Sequence, residues 1–171
     1  MKPVSVVVFV LLLATTVFAG SPPVMTPSQQ MQALQLRLAQ FEGRYDTFDA
    51  ALQACGGTPE VTAAWKTADS NFNSFVDPLC GGDSTQFYDT SANNCVNAPY
   101  LTFAQQYQAM ELRIAQYTAR YAALDLQSYQ ACGTQATPNS EWTQADTAMN
   151  AFLLATCGGY QHYSTSMNQC Q

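Results

Sequence analysis

The chain contains one segment twice, and each copy is followed by three cysteines. Residues 32–41 (QALQLRLAQF) return as residues 108–117 (QAMELRIAQY). The cysteines fall at matching places in the two copies: Cys55, Cys80 and Cys95, then Cys132, Cys157 and Cys170. We therefore divide the chain into a first half, residues 20–99, and a second half, residues 100–171, and expect both halves to form the same elements.

Residues 1–19 have the features of a secretory signal peptide. Lys2 supplies a positive start, residues 6–14 are apolar, and residues 17–19 (VFA) resemble a small-residue cleavage site. The apolar run is short for a bilayer span, and no later segment is as long, so no membrane span is expected after the signal is removed. The mature chain is predicted to be secreted and extracellular.

The charge balance argues against a nucleic-acid partner. Removal of Lys2 with the signal leaves five basic residues against twelve acidic ones, a net charge of −7. Phosphate binding requires clustered cations, which this chain lacks. Charged residues are sparse, and Gln, Ser, Thr, Asn and Tyr supply much of the polar surface instead.

Each half opens with a signal for a long helix. Thr26 with Gln29, and Thr102 with Gln105, have the spacing of capping boxes. Apolar residues then recur by alternating threes and fours, which is typical of helices packed along a heptad seam. The seam positions are Met31, Leu34, Leu38, Phe41, Tyr45, Phe48 and Leu52 in the first half, and Tyr107, Met110, Ile114, Tyr117, Tyr121 and Leu124 in the second.

A shorter helix is predicted after each long one. Thr58-Pro59 and Thr137-Pro138 are candidate starts, and glycines after Cys80 and Cys157 favour helix ends there. The predicted fold is all-α: two tandem helical hairpins that share one core as a disulfide-stapled four-helix bundle, each closed by a short cysteine-bounded loop.

This geometry predicts three disulfides. Cys55 lies at the opposite end of a hairpin from Cys80, because the helix between them is too long for the two to meet. In an up-down-up-down chain the two long helices run the same way, so Cys55 and Cys132 meet and join the halves. The alternative is that one of these two pairs with another molecule. The expected bridges are Cys80–Cys95, Cys157–Cys170 and Cys55–Cys132.

The charged residues beside the seam suggest its register. A parallel, in-register pair of long helices would bring together Arg44 and Asp125, Arg120 and Asp49, and Arg113 and Glu42. The alternative interpretation is that these charges only solvate the helix faces.

No motif for catalysis, metal binding or nucleotide binding stands out. His162 is the only histidine and is expected in a solvated loop. The acids considered for a calcium site are Asp77, Asp83 and Asp89, and those considered as carboxylate pairs are Glu60 with Asp69 and Glu141 with Asp146; both sets are expected to be solvated. The aromatic positions considered for a ligand pocket, and expected in the core, are Phe41, Tyr45, Phe48, Trp65, Phe72, Tyr117, Tyr121 and Trp142.

The cysteine-bounded loops resemble a part of a known family. Residues 80–82, 87–89 and 93–95 (CGG, FYD and NNC) are similar to the closing segment of peritrophin-type chitin-binding domains. The resemblance implies a cysteine-bounded hairpin, where the residues themselves allow a hairpin or an irregular turn. The upstream cysteines and aromatic strands of that family are missing, and no family is recognised for the chain as a whole.

These features favour a secreted, non-enzymatic structural or interaction protein, such as a component of an extracellular matrix, a coat or a secretion. Its partner would be an extracellular protein, a polymer or another copy of the chain. The first alternative is an extracellular carrier of a small apolar ligand within the helical bundle. The second is a secreted enzyme with an unrecognised site. No catalytic residue, cofactor or metal is predicted.

Overall fold

The structure is a computed structural model that describes residues 23–171. The predicted signal peptide, residues 1–19, lies outside the described residues. The chain is mostly helical. Its helices are α1 (Pro27–Ala54), α2 (Ala63–Cys80), α3 (Phe103–Cys132) and α4 (Ser140–Cys157). Two antiparallel hairpins, β1 (Phe87–Asp89) with β2 (Asn94–Val96), and β3 (Tyr163–Ser164) with β4 (Gln169–Cys170), follow the short helices.

The long helices begin where the sequence predicts. The Thr26 hydroxyl accepts a hydrogen bond from the Gln29 N–H at 3.3 Å, and Gln29 Oε1 accepts one from the Thr26 N–H at 2.8 Å. Thr102 and Gln105 form the same reciprocal pair at the start of α3. Both capping boxes are therefore confirmed, and each supplies partners for N–H groups that a helix start leaves unpaired.

The short helices begin later than predicted. The caps are Thr62 and Asn139, whose side chains accept from the Trp65 and Trp142 N–H groups at 3.2 Å and 2.8 Å. The predicted starts at residues 58–59 and 137–138 therefore lie in the preceding loops. Each cap lies three residues before a tryptophan and supplies an acceptor to an N–H group that the helix start leaves unpaired.

The two long helices lie side by side and parallel. Leu34 and Leu38 of α1 bury their side chains against Met110 and Ile114 of α3. The seam continues toward the C-terminal ends, where Phe48, Leu52, Ala123 and Leu124 form a second cluster with Trp65. The heptad positions expected to pair the long helices are thus the ones that do so.

The short helices do not pack as the predicted hairpins. Helix α2 packs mainly along α3, and α4 packs along α1. Contact between α2 and α1 is concentrated near the connecting loop, where the Trp65 and Tyr45 rings meet edge to face at 6.1 Å. Each short helix therefore packs on the long helix of the other half, which carries the side chains that contact it.

Three disulfides join Cys55 to Cys132, Cys80 to Cys95, and Cys157 to Cys170. The first links the C-terminal ends of α1 and α3, and each of the others ties a hairpin to the short helix before it. Three disulfides are consistent with an extracellular protein.

Among residues 23–171, no helix combines the length and apolar character that a membrane crossing requires.

Candidate functional site

The carboxylates considered as catalytic pairs serve other purposes. Asp69 of α2 and Asp146 of α4 hold matching positions, and each accepts a hydrogen bond at 2.9 Å from the indole Nε1 of its own helix, Trp65 and Trp142 respectively. Glu60 and Glu141, which the sequence suggested as their partners, are exposed near the starts of the short helices. Neither pair converges on a cleft as acid–base chemistry requires.

His162 lies in a 3-10 turn before β3, and its side chain is exposed. In the part of the chain that the structure describes, no three His, Cys, Asp or Glu side chains are grouped so that they could hold a metal ion.

The acids near Cys80 stabilise turns. The Asp83 carboxylate accepts hydrogen bonds from the Thr85 hydroxyl and N–H, both at 2.7 Å, and from the Gln86 N–H at 2.8 Å. Bonds to the Thr85 and Gln86 donors lower the pKa of Asp83, and bonds to the Ser91 hydroxyl and N–H lower that of Asp89. Asp77 is exposed on the last turn of α2.

The aromatic residues considered for a ligand pocket pack against one another. Phe41 stacks on Tyr121 with ring centroids 5.5 Å apart, and Tyr45 meets Tyr117 edge to face at 5.7 Å. Phe48 contacts Trp142 at 5.8 Å. Similar contacts hold Trp65 against Tyr45, and Phe72 against Tyr88 of the first hairpin. These rings pack between the helices; Phe48, Trp65 and Phe72 are buried, and the others are half-buried.

Two arginines at matching positions in α1 and α3 differ in their bonding. Arg120 donates from Nε at 3.2 Å and from Nη2 at 2.7 Å to Asp69 Oδ1. Its guanidinium also lies over the Trp65 ring, 5.6 Å from the centroid, and the Tyr117 ring at 5.3 Å. Arg120 is thus held by both a carboxylate and aromatic faces.

Arg44 has the aromatic contacts without the bonded carboxylate. Its guanidinium lies 5.2 Å from the Trp142 centroid and 5.7 Å from that of Tyr121. Its Nη2 is 3.9 Å from Asp146 Oδ1, beyond hydrogen-bond distance, and its Nε is buried without an acceptor among residues 23–171. Gln40 Nε2 donates to the same Asp146 oxygen at 2.6 Å. The Arg44 guanidinium therefore retains unused donors.

These pairs test the predicted charge register. The Arg113–Glu42 pair is confirmed, with Nη2 to Oε1 at 2.9 Å. The other two predicted pairs are wrong, because Asp69 and Asp146 on the short helices lie beside Arg120 and Arg44. The heptad pattern describes only the long helices. It contains no information about Asp69 and Asp146, because these acids lie on the short helices that pack over the seam.

A surface cleft of about 320 Å³ opens beside Arg44. We name it the Arg44 cleft; it is lined by Arg44, Phe48, Tyr121, Asp125, Gln135, Ala136, Pro138 and Trp142. An adjoining groove of about 270 Å³ shares Asp125 and Gln135 with it. We name this the Leu126 groove; it is lined by Ala122, Asp125, Leu126, Tyr129 and Gln135.

The Leu126 groove has no counterpart in the sequence of the first half. Leu126 and Tyr129 are 60 % and 53 % exposed. The repeat aligns them with Ala50 and Gln53, which are also exposed but small or polar. Buried Leu52 and Ser128 occupy matching places in the same alignment, which supports it up to this point. A comparison of the exposed positions of the two halves would have found this difference, whereas motif searching could not.

Comparison of the chain with protein-family models, with curated proteins and with solved structures finds no match.

Proposed function

We propose that this chain is a secreted, non-enzymatic interaction protein of an extracellular matrix, coat or secretion, built from a duplicated unit of two helices and a hairpin. Three disulfides and a surface with few charges suit a persistent extracellular protein. Matching hydrogen bonds in the two halves support the duplication. Arg113 and Arg37 donate to the Thr90 and Thr165 carbonyls of the two hairpins at 2.8 Å and 3.0 Å.

The observation that carries the interaction role is the exposed Leu126 groove. Large apolar side chains on a helix face of a soluble protein cost solubility, and contiguous ones commonly mark a contact surface. Here Leu126 and Tyr129 stand where the other half has Ala50 and Gln53. The helices do not need these side chains for packing, so a partner explains them better than the fold does.

The carrier alternative has less support. It requires an apolar cavity between the helices, and the predicted lining residues instead pack ring against ring. The enzyme alternative has less support as well. Asp69 and Asp146 are bonded to tryptophan and glutamine side chains, and His162 is exposed in a turn with no carboxylate from residues 23–171 bound to it.

Secretion is tested by expressing the full chain in a eukaryotic host. We expect the protein in the medium, beginning near Gly20, with six oxidised cysteines by mass spectrometry. Retention in the cell or free thiols would contradict the proposed location.

Interaction is tested by co-sedimentation of the secreted protein with insoluble extracellular material from the producing tissue. The paired variant Leu126→Ala with Tyr129→Gln should remain in the supernatant. Val61→Ala with Leu154→Ala, which also shortens two exposed apolar side chains, should sediment like the wild type. Equal sedimentation of all three proteins, or none of the wild type, would sink the proposal.

A further inference from the structure

We propose that two copies of this chain bind each other by exchanging residues 140–171, so that α4 and the second hairpin of each copy pack on α1 of the other. We name residues 140–171 the arm, residues 23–132 the body, and residues 133–139 between them the hinge. The partner is a second copy of the chain. The exchanged surfaces, on α1 and on the arm, are separate from the Leu126 groove, so the inference goes beyond the proposed function.

The packing units of the fold are out of phase with the sequence repeat. One unit consists of α2, the first hairpin and α3, which follow one another along the chain. Its hairpin donates from Asn93 Nδ2 to the Gln106 carbonyl of α3 at 3.2 Å. The other unit consists of α4, the second hairpin and α1. There Asn168 Nδ2 donates to the Gln30 carbonyl at 2.9 Å. The arm therefore packs on a helix that lies far before it in the sequence.

The two units differ in how the chain connects their parts. In the first unit, residues 97–102 join the hairpin directly to α3, and Leu101 in this connection packs with the cysteines of the hairpin disulfide. In the second unit, Met25 packs with the cysteines of the matching disulfide. Gln169 of that hairpin accepts from the Met25 N–H at 2.8 Å but lies 144 residues away along the chain. The arm is thus linked to its own α1 only through the hinge and the body, so α1 of another copy can take its place without a change in local structure.

The positions of the disulfides allow the arm to exchange. Cys157–Cys170 lies within the arm, whereas Cys55–Cys132 and Cys80–Cys95 lie within the body. Among residues 23–171, no disulfide crosses the hinge and no cysteine is left free. When the arm leaves, the body keeps two bridges and the seam between α1 and α3, and the arm keeps its own bridge. Exchange therefore requires neither reduction nor rearrangement of a disulfide.

The faces that the arm and α1 present to each other are apolar. Met149 and Leu153 of the arm pack with Ala33 of α1, and all three are 0 % exposed. A released arm exposes both faces to water, which costs free energy in proportion to the apolar area. A second copy offers faces of identical shape and the same hydrogen-bond partners for Arg37 and Asn168. The surface that best covers a released arm is therefore α1 of another copy.

The hinge sets the balance between the closed monomer and the exchanged dimer. Residues 133–139 contain no helix or strand and are mostly exposed, and Pro138 disfavours a helical conformation at Thr137. Both states make the same contacts between arm and α1. The monomer is therefore favoured only by the effective concentration of its own arm, which is in the millimolar range for a short flexible linker. Chains at such concentrations in a matrix or a secretion should exchange arms.

Shortening the hinge tests the proposal, because it disfavours the closed monomer alone. The Asn139 N–H binds Thr47 Oγ1, so the hinge ends beside α1, about 12 Å along that helix from the Cys55–Cys132 bridge where it starts. Deletion of residues 134–136 leaves four hinge residues, which span at most about 14 Å. The hinge must also pass around α1, because α3 and α4 pack mainly on α1 rather than on each other. The shortened hinge therefore cannot place the arm on its own α1 without strain.

Sedimentation analysis of the full mature chain measures the outcome. The wild type should be a monomer at micromolar concentration and form dimers at millimolar concentration. The deletion variant should already be a dimer at micromolar concentration. Insertion of Gly-Ser-Gly after Gln135 is the matched control, and this variant should be a monomer at micromolar concentration. All dimers should run as single chains on a denaturing gel without reductant, because no disulfide joins the copies.

Two further variants identify the exchanged segment. Leu153→Asp disables the arm, and Ala33→Asp disables α1 as its acceptor, so neither variant alone should dimerise. An equimolar mixture can form one native site, between the arm of the Ala33→Asp chain and α1 of the Leu153→Asp chain. We expect a one-to-one complex from the mixture. If either variant does not fold, the hinge deletion still decides the question.

The proposal is overturned if the wild type stays monomeric at millimolar concentration, if the hinge deletion is monomeric at micromolar concentration, or if the two folded variants do not pair. A dimer held by an interchain disulfide would overturn it as well. Leu126→Ala with Tyr129→Gln should dimerise like the wild type. A wild type that sediments with extracellular material but does not dimerise contradicts arm exchange and leaves the proposed function intact.

Discussion

Arg113 of α3 donates from Nη2 to Glu42 Oε1 of α1 at 2.9 Å and from Nη1 to the Thr90 carbonyl of the first hairpin at 2.8 Å. One buried guanidinium thus ties together both long helices and a hairpin. Arg37 at the matching position donates to the Thr165 carbonyl at 3.0 Å and forms no ion pair within residues 23–171. Burial raises the pKa of Glu42, although the Arg113 charge acts in the opposite direction. The ionised Glu42 carboxylate therefore depends on Arg113 for its stabilisation.

Replacement of Arg113 by methionine should therefore cost more than the same change at Arg37. Arg113→Met leaves a half-buried carboxylate and a hairpin carbonyl without a donor, a loss of about 2 kcal/mol. Arg37→Met removes one exposed bond to a carbonyl, about 1 kcal/mol or less. Urea unfolding followed by circular dichroism measures both. Equal losses would show that the Glu42 pair contributes nothing to stability.

Gly43 sets the distance between α1 and α4. A Cβ atom built at Gly43 would lie 2.7 Å from the backbone N and Cα of Trp142. Gly43→Ala should therefore force α4 away from α1 and destabilise the chain by about 1–3 kcal/mol, although alanine is the better helix former. The change should also alter the emission of Trp142.

The control for Gly43→Ala is Ala119→Gly at the matching position of α3, which should cost only the helix propensity of about 1 kcal/mol. A Gly43→Ala variant more stable than the wild type would contradict the close approach of the two helices.

The Cys55–Cys132 bridge should be the first to open under reduction. Cys55 is exposed, whereas Cys80 and Cys157 are buried at 0 % and 6 % exposure. Brief treatment with dithiothreitol without denaturant, then alkylation and peptide mass spectrometry, should label Cys55 and Cys132 first. Earlier labelling of Cys80 or Cys157 would argue against this packing.

The paired variant Cys55→Ser with Cys132→Ser should lose about 4.5 kcal/mol, because the bridge closes a loop with a sequence separation of 77 residues. A second variant pair at Cys80 and Cys95, which closes a separation of 15 residues, should lose about 3 kcal/mol on the same entropic argument. Thermal unfolding of both paired variants in denaturant compares the two losses of stability. A larger loss at Cys80 and Cys95 would show that local hairpin packing outweighs loop closure.

Asp46 should make the fold slightly less stable as pH rises. Burial raises the pKa of Asp46, and the Glu141 and Asp49 carboxylates raise it further. The folded chain therefore holds this proton more tightly than the unfolded chain, so ionised Asp46 opposes folding above that range. Asp46→Asn should gain about 0.5 kcal/mol or less near pH 7 and nothing near pH 3.

Urea unfolding at both pH values measures the Asp46 effect. Asp89→Asn is the control of opposite sign, because bonds from the Ser91 hydroxyl and N–H lower the pKa of Asp89. Asp89 therefore stabilises the fold above its unfolded pKa, and this contribution is lost as pH falls. A gain in stability from Asp89→Asn near pH 7, or a loss from Asp46→Asn, would contradict these assignments.

The two halves should not fold separately as monomers. The fragment of residues 20–99 contains α1 and α2 but not α3, the helix against which both pack. It also lacks α4, which packs against α1. Residues 20–99 and 100–171 produced apart should show little helical circular dichroism and regain it on equimolar mixing, with the mass of a one-to-one complex. A folded monomer of either half by sedimentation analysis would contradict the exchanged packing of the short helices.

The sequence by itself determined the elements and their local ends. Capping boxes at Thr26 and Thr102 depend on residues three positions apart, and the heptad seam depends on spacing along one helix. The cysteine spacing points to the three bridges that the structure contains. The Glu42–Arg113 pair followed from the same register. All of these features follow from local periodicity or from the parallel direction of two helices.

Only the tertiary structure decided which long helix each short helix covers. As a sequence pattern, the apolar face of α2 is compatible with packing on either α1 or α3. Side chains of α3 such as Gln116 and Arg120, which bind Asp69, select α3. That choice also left Arg44 underbonded beside Asp146 and opened the Arg44 cleft. Periodicity reports that a face is buried, but the partner is selected by contacts between residues far apart in the chain, and these exist only once the helices have assembled.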